Sequence, residues 1–136
     1  MRLVGVLSLL VALGLLRPAD VVAQSDVIAQ REAFERYCAT CHGVDGKGAG
    51  VLSGFLKKPP ADLTQLAKKN GGEFPFHRTM QFIDGTKDVR AHGDPDMPVW
   101  GEVFAHETRG SPAQQAEIRA KILQITAYVR SIQVDD

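Results

Sequence analysis

The sequence predicts a small all-α protein with a single domain. An apolar stripe with helical spacing runs along its last third, a second helical pattern precedes residue 38, and no segment alternates convincingly as a strand would. The chain has 136 residues, which is the size of one domain. Basic and acidic residues number 16 each, which argues against nucleic acid as a partner because such proteins usually present a strongly basic surface.

Residues 1–23 predict a secretory signal peptide. Arg2 supplies the initial positive charge, and the apolar stretch at 3–16 has 14 residues, which is short for a membrane span. The residue types before position 24 predict cleavage after Ala23. An uncleaved anchor is the alternative. The prediction is therefore an exported, periplasmic protein, with a functional domain at 24–136 and no stable membrane insertion after cleavage.

The first half of the domain predicts one helix followed by irregular chain. Ser25 or Asp26 can cap a helix that runs toward Cys38. Residues 43–50 include four glycines and predict a loop. The paired prolines at 59–60 continue the irregular path, because proline breaks helices.

Short helices are predicted next. Asp62 can cap one that runs to about Lys69 and ends at the Asn-Gly-Gly sequence 70–72. Residues 74–83 predict another, which ends near 84–85.

Residues 86–96 are polar and predict a loop, and 98–106 predict a short helix. The last helix is the clearest. Ser111 caps it, and Pro112 occupies its first turn. Its stripe, with alternating steps of four and three, consists of Ile118, Ile122, Ile125, Val129 and Ile132, beside which lies Tyr128.

The pentapeptide Cys38-Ala39-Thr40-Cys41-His42 carries the chemistry. It has the spacing of the c-type haem attachment motif. Side chains three apart on a helix lie about 5–6 Å from each other on one face, so both thiols can bond to one porphyrin edge. His42 then lies beside the ring and can offer a nitrogen to the iron. These are the only cysteines in the chain, so the motif predicts one haem c held by two thioethers.

Three other interpretations of the two cysteines remain open. A redox disulfide is expected in a βαβ context, whereas this pair follows a helical pattern. A zinc site needs four nitrogen or sulfur ligands, and the other histidines are single and scattered. A five-residue pattern can also arise by chance.

A haem that carries electrons usually has a second axial ligand. The candidates are Met80, Met97, His77, His92 and His106. Met97 is the best, because the flanking prolines predict an extended backbone that can lay a thioether across the face opposite His42. Met80 lies in a helical apolar pattern and predicts core packing. His92 is the strongest histidine alternative. His77 and His106 are predicted to be exposed or structural, and an open coordination position is the remaining alternative.

Four segments together resemble the bacterial class I cytochromes c. They are Tyr37 to Gly48, Lys58 to Leu63, Asp96 to Gly101 and Ile125 to Val129, which are similar to the family's haem-binding helix and loop, proline loop, methionine segment and C-terminal helix. The resemblance implies the cytochrome c class I fold, a small helical domain wrapped around one covalent haem.

The resemblance also implies specific contacts. The first and last helices should cross, so that Phe34 meets Ile125 and Tyr128. The family often has glycine where this chain has Gln30, so the close contact is expected at Ala29 or Ala33 instead. A carbonyl of the proline loop, that of Pro59 or Pro60, should accept a hydrogen bond from His42. Trp100 should either border a haem propionate or pack in the core.

The function expected from the motif and the resemblance is that of an electron carrier, not an enzyme. It would be a periplasmic monohaem protein with His42/Met97 ligation, a monomer that exchanges electrons with redox partner proteins such as a dehydrogenase or oxidase. The alternatives are a haem enzyme or ligand sensor with a labile sixth position, and a dedicated subunit of a larger complex. Five lysines form either an ordinary solvated surface or a patch that steers acidic partners: Lys47, Lys57, Lys58, Lys68 and Lys69. The acidic residues Asp84, Asp88, Asp94 and Asp96 would make the molecule dipolar.

Overall fold

The computed structural model describes residues 18–86 and 97–134, with side chains from residue 24 onward. This part of the chain is helical and contains no strand, so the all-α prediction is confirmed. Its α-helices are α1 (Pro18–Tyr37), α2 (Ala39–His42), α3 (Phe76–Asp84), α4 (Trp100–Glu107) and α5 (Gln114–Ser131). Short 3-10 turns lie at Ser53–Phe55, Leu63–Gln65 and Lys68–Asn70. Across the described residues, no helix combines the length and apolarity that crossing a membrane would require.

Helix α1 begins earlier than predicted. Ser25 and Asp26 lie inside this helix, so the prediction that one of them caps its start was wrong for the full chain. The described part of this helix runs from Pro18 to Tyr37. The signal peptide and its cleavage site stay predictions, since they depend mainly on residues outside the described part.

The core lies where α1 packs against α5. Phe34 is fully buried, and its ring centroid lies 4.8 Å from that of Tyr128. Ile125 belongs to the same buried cluster, as the predicted helix crossing requires. Ala33 is buried while Gln30 is only partly so, which agrees with a close contact moved to Ala33. The predicted α5 stripe is buried at all its positions except the last, Ile132, which is half-buried.

The short elements follow their predicted signals closely. The carboxylate of Asp62 accepts the backbone N–H of Thr64 at 2.9 Å, which caps the turn that follows. Residues 63–70 were predicted as one helix but form two 3-10 turns, at Leu63–Gln65 and Lys68–Asn70. The second turn ends at Gly71, whose backbone is in the left-handed conformation. Helix α3 ends at Gly85, as predicted. The predicted loop at 86–96 lies outside the described residues, apart from its first residue.

Helices α4 and α5 each begin two residues later than predicted. Val99 is extended, so α4 starts at Trp100. The Ser111 hydroxyl accepts the N–H of Ala113 at 3.2 Å and donates to Glu117 at 2.7 Å. Ser111 therefore organises a turn that leads into α5 rather than capping the first helical residue.

The side chain of Gln133 connects the residues after α5 to the loop that follows the paired prolines through hydrogen bonds. Its side-chain oxygen accepts the N–H of Ala67 at 2.8 Å, and its amide nitrogen lies 2.7 Å from the carbonyl oxygens of Leu63 and Val129. The backbone N–H of Val134 donates to Thr64 at 3.1 Å. This loop begins at Ala61, which is part of the site described next, so the C-terminus supports the site.

Candidate haem site

An apolar cavity of about 370 Å³ opens beside the pentapeptide. Its walls come from the end of α1, α2, the segment 56–61, α3 and the start of α4. The lining residues are Tyr37, Cys38, Cys41, His42, Leu56, Lys58, Pro59, Pro60, Ala61, Phe82, Met97, Pro98 and Trp100. Among the described lining residues, Lys58 is the one with a permanently charged side chain, so this part of the cavity suits a large apolar ligand with a few polar contacts.

The two cysteines face this cavity from a tight helical connection. The chain passes from α1 to α2 at Cys38, whose N–H donates to Phe34 and whose carbonyl accepts the N–H of His42 at 2.9 Å. Cys38 is buried and Cys41 is half-buried, and both are free thiols. Burial, together with the neighbouring Cys41, raises the pKa of the Cys38 thiol to about 12. Cys38 is therefore a neutral thiol at physiological pH.

His42 is oriented by one backbone carbonyl. Its Nδ1 donates to the carbonyl oxygen of Ala61 at 3.0 Å. The sequence predicted the carbonyl of Pro59 or Pro60, and that prediction was wrong by one residue. The Pro60 carbonyl instead lies against Gly48, where an added Cβ would come within 2.4 Å of it.

Because Nδ1 of His42 bonds to Ala61, the other ring nitrogen, Nε2, can act as a metal ligand. A hydrogen bond from Nδ1 fixes the tautomer and makes the distal nitrogen more basic. Burial lowers the pKa of His42 and outweighs the Ala61 bond, which raises it. The imidazole is therefore kept in its neutral form, which is the form that binds metal.

The glycine-rich loop wraps closely around α2. Gly50 donates its N–H to the carbonyl of Cys41 at 3.0 Å, and a Cβ at this position would lie 2.4 Å from the carbonyl oxygen of Thr40. The N–H of Gly48 donates to the carbonyl of His42 at 2.7 Å. Backbone contacts this close need glycine, which explains why glycines follow the motif.

The structure separates the candidates for a second axial ligand. Met97 is half-buried and lines the cavity that His42 also lines. Met80 packs against the core and lines a different, smaller cavity between α3 and α5, as its core-packing prediction required. His77 and His106 are exposed, and His92 lies outside the described residues.

An aromatic wall, formed by Tyr37 and Trp100, closes one side of the cavity. The two ring centroids are 5.4 Å apart in an edge-to-face arrangement, and each ring also contacts Phe104. Trp100 packs against the buried ring of Phe104, as the core interpretation predicted, and it also lines the cavity, while its contact with a haem propionate stays a prediction.

Some residues around this wall were not predicted from the sequence. Phe82 and Leu56 were not expected to line a site, and no local spacing distinguishes them from core residues. Tyr37 was placed only within the segment that resembles the haem-binding helix. Tyr37 directly precedes the first cysteine, which is the one signal that the sequence offers for it. Its hydroxyl contacts Glu107 and Lys121, which are 70 and 84 residues away and could not be paired with it from the sequence.

The donor set fits covalently attached haem. Two thiols and an oriented imidazole lie on the wall formed by α1 and α2, a thioether lines the same cavity, and the remaining surface is largely apolar. Thiols bind the porphyrin edge, whereas imidazole and thioether are the axial ligands of cytochromes c. An all-α domain with this arrangement defines a protein of the covalent haem-binding class.

The comparison with known families gives the same result. The family model described as Cytochrome c matches residues 30–133, which is more than half of the chain. The chain therefore belongs to the cytochrome c family, whose members bind covalent c-type haem and act in electron transfer. No match was found among curated proteins or among solved structures.

Proposed function

We propose that this protein is a periplasmic carrier of single electrons, with one haem attached to Cys38 and Cys41 and ligated by His42 and Met97. The proposal depends chiefly on one observation, that His42 and Met97 line the same apolar cavity as both thiols. When bound, the haem supplies an iron centre that takes up and releases one electron.

The surrounding residues have distinct tasks in this proposal. The Ala61 carbonyl orients His42 and increases its basicity. The Met97 thioether is a soft ligand that favours the reduced metal, so it raises the reduction potential relative to a second histidine. The aromatic wall would exclude water from one side of the haem. An apolar environment also favours the reduced state of the haem, because that state is less charged.

The periplasmic location is supported by the N-terminal sequence. Residues 1–23 have the charge and apolar length of an export signal. After cleavage the chain would lose Arg2, Arg17 and Asp20, so its net charge would change by only one unit. The domain 24–136 would then act as a monomer that diffuses between membrane-bound or periplasmic partners.

Expression with a haem-maturation system tests the proposal. The purified protein should carry one covalent haem, titrate as a single reversible one-electron couple, and bind no carbon monoxide when reduced. Carbon monoxide binding by the reduced wild-type protein would instead indicate the haem enzyme or sensor with a labile position. Firm copurification with a dehydrogenase or oxidase would indicate a dedicated subunit.

The partner surface is proposed to lie on the segment between the motif and the paired prolines. Val51 and Phe55 are 80% and 84% exposed, which is unusual for large apolar residues. Residues 43–58 include three lysines and one acidic residue, Asp45. Because Leu56 and Lys58 of this segment line the cavity, the surface borders the haem site. The fitting partner is a redox protein whose contact surface is apolar at its centre and acidic around it.

Substitution of Phe55 should weaken this docking. A photocrosslinker at position 55 should capture a redox protein from the periplasmic fraction of the source organism. With that protein purified, Phe55→Ser should lower the rate constant for electron transfer to it by about tenfold or more, since burying a phenylalanine contributes roughly 1.5–3 kcal/mol. Stopped-flow absorbance at several salt concentrations measures the rate.

Val27→Ser is the matched control for Phe55→Ser. Val27 is 56% exposed and lies ten residues before the end of α1, about 15 Å away along the helix. The Val27→Ser variant should leave the rate constant for electron transfer to the captured protein unchanged. Both variants should reduce ferricyanide, a small reagent, as fast as the wild type. Equal rates for Phe55→Ser and wild type toward the captured protein would contradict this surface.

A further inference from the structure

Three polar groups from three helices meet behind the aromatic wall. The Tyr37 hydroxyl, from the end of α1, donates to a carboxylate oxygen of Glu107, from α4, at 3.1 Å. The Nζ of Lys121, from α5, lies 2.6 Å from the same Glu107 oxygen and 3.3 Å from the Tyr37 hydroxyl oxygen. One carboxylate oxygen therefore binds both a phenol and an ammonium group.

The aromatic rings also hold this ion pair. The Lys121 ammonium lies 5.5 Å from the centroid of the Tyr37 ring and 5.1 Å from that of Phe104, which is within cation–π range. The hydrogen bond from Lys121 lowers the pKa of Glu107, and the same bond raises the pKa of Lys121. Both groups thus remain charged over the physiological range.

Global stability gives little reason for such an arrangement. The side chains of Lys121 and Glu107 are 29% and 35% exposed, and partly exposed pairs typically contribute about 1 kcal/mol or less. Their geometry has a clearer consequence for Tyr37. The Tyr37 hydroxyl makes polar contacts with both Glu107 and Lys121. The ring that carries it lines the cavity and contacts Trp100.

We propose that Glu107 and Lys121 are positioning residues that hold the Tyr37 hydroxyl, keep the aromatic wall against the haem and thereby raise its reduction potential. The inference extends the proposed function and depends on haem occupying this cavity. Its physical basis is that the apolar shell around a redox centre controls solvent access. A wall that loosens admits water, which stabilises the more highly charged oxidised state and lowers the potential.

The sign of the potential shift separates positioning from simple electrostatics. Tyr37→Phe removes both polar contacts of the hydroxyl, and Glu107→Leu removes the shorter of the two, so each should lower the potential. Combined, they should lower it no further than one of them alone, since both act through the same hydroxyl. If Glu107 acted only through its charge, its removal would raise the potential, and by the same amount in the Tyr37→Phe background.

Two further variants keep the charge at the site constant while changing the contacts. Glu107→Leu with Lys121→Leu leaves the net charge unchanged, removes both polar partners of the Tyr37 hydroxyl and should still lower the potential. Lys121→Arg keeps a cation at the site and should retain most of the wild-type potential. Tyr37→Phe alone still tests the inference if the Glu107 variants fail to fold. The matched control is the exposed Arg31–Glu35 ion pair of α1, which is 2.7 Å long and does not line the cavity. Its neutralisation by two glutamines should leave the potential unchanged.

Spectroelectrochemical titration of the holoproteins measures these potentials. Covalent haem and the wild-type visible spectrum are checked first, so that absence of haem overturns the proposed function and is not scored against the positioning role. With haem present, lowered and non-additive potentials support the inference. Unchanged potentials in Tyr37→Phe and Glu107→Leu, or an upward shift in Glu107→Leu that persists in the Tyr37→Phe background, overturn it.

Discussion

Replacement of both Cys38 and Cys41 by alanine should abolish covalent haem attachment. Both thiols line the cavity beside His42, and no other cysteine in the chain could replace them. Haem staining after denaturing electrophoresis, together with intact mass, should show essentially complete loss of the added haem mass. The variant should also unfold more easily, because the cavity then lacks a bound group that stabilises the folded state.

A substitution within the same pentapeptide serves as the control. Thr40 is exposed and does not line the cavity, so Thr40→Ser should keep the full haem content. Each single cysteine variant should retain at most one thioether, with a lower yield of holoprotein. Covalent haem in the double cysteine variant would contradict the attachment proposed here.

Met97→Leu should convert a closed haem site into an open one. Leucine keeps a similar volume but has no sulfur, so the change in packing alone should cost less than about 1.5 kcal/mol. The oxidised protein should lose its methionine–iron charge-transfer band, and the potential should fall. The reduced protein should change from binding no carbon monoxide to binding one equivalent, which absorbance titration measures.

Met80→Leu is the chemically identical control for Met97→Leu. Met80 packs against the core and lines the other cavity, so its replacement should leave the spectrum, the potential and the resistance to carbon monoxide unchanged. A native spectrum in Met97→Leu, or loss of the band in Met80→Leu, would show that Met97 is not the ligand.

Periodic segments of this chain were predictable because one repeating pattern fixes both the helix and its buried face. The stripe on α5 is the clearest case, and the end of α3 at Gly85 followed from local backbone chemistry. The start of α1 was not predictable in the same way. Ser25 and Asp26 have good capping side chains, but in the full chain the segment before them is also helical, so they lie inside the helix.

The site was predictable where its residues are adjacent in sequence and not where they meet through tertiary packing. Cys38, Cys41 and His42 are contiguous, and Met97 was selected from its proline-flanked setting. The carbonyl that orients His42 depends on how the loop turns, so the prediction missed Ala61 by one residue.

The contacts that hold the aromatic wall had no signal in the sequence. Glu107 and Lys121 meet Tyr37 only because α4 and α5 both pack near the end of α1. From the sequence alone, Glu107 and Lys121 would be predicted to be ordinary solvated surface charges. Their role in the proposed haem site emerges only from the distances between their atoms.

The most direct test of the central claim is the absorption spectrum of the oxidised wild-type holoprotein. Ligation by His42 and Met97 predicts the weak charge-transfer band of a methionine–iron bond, and this band should disappear on reduction. A spectrum without the band, whether it has the features of two histidine ligands or of an open sixth position, would contradict the His42/Met97 centre.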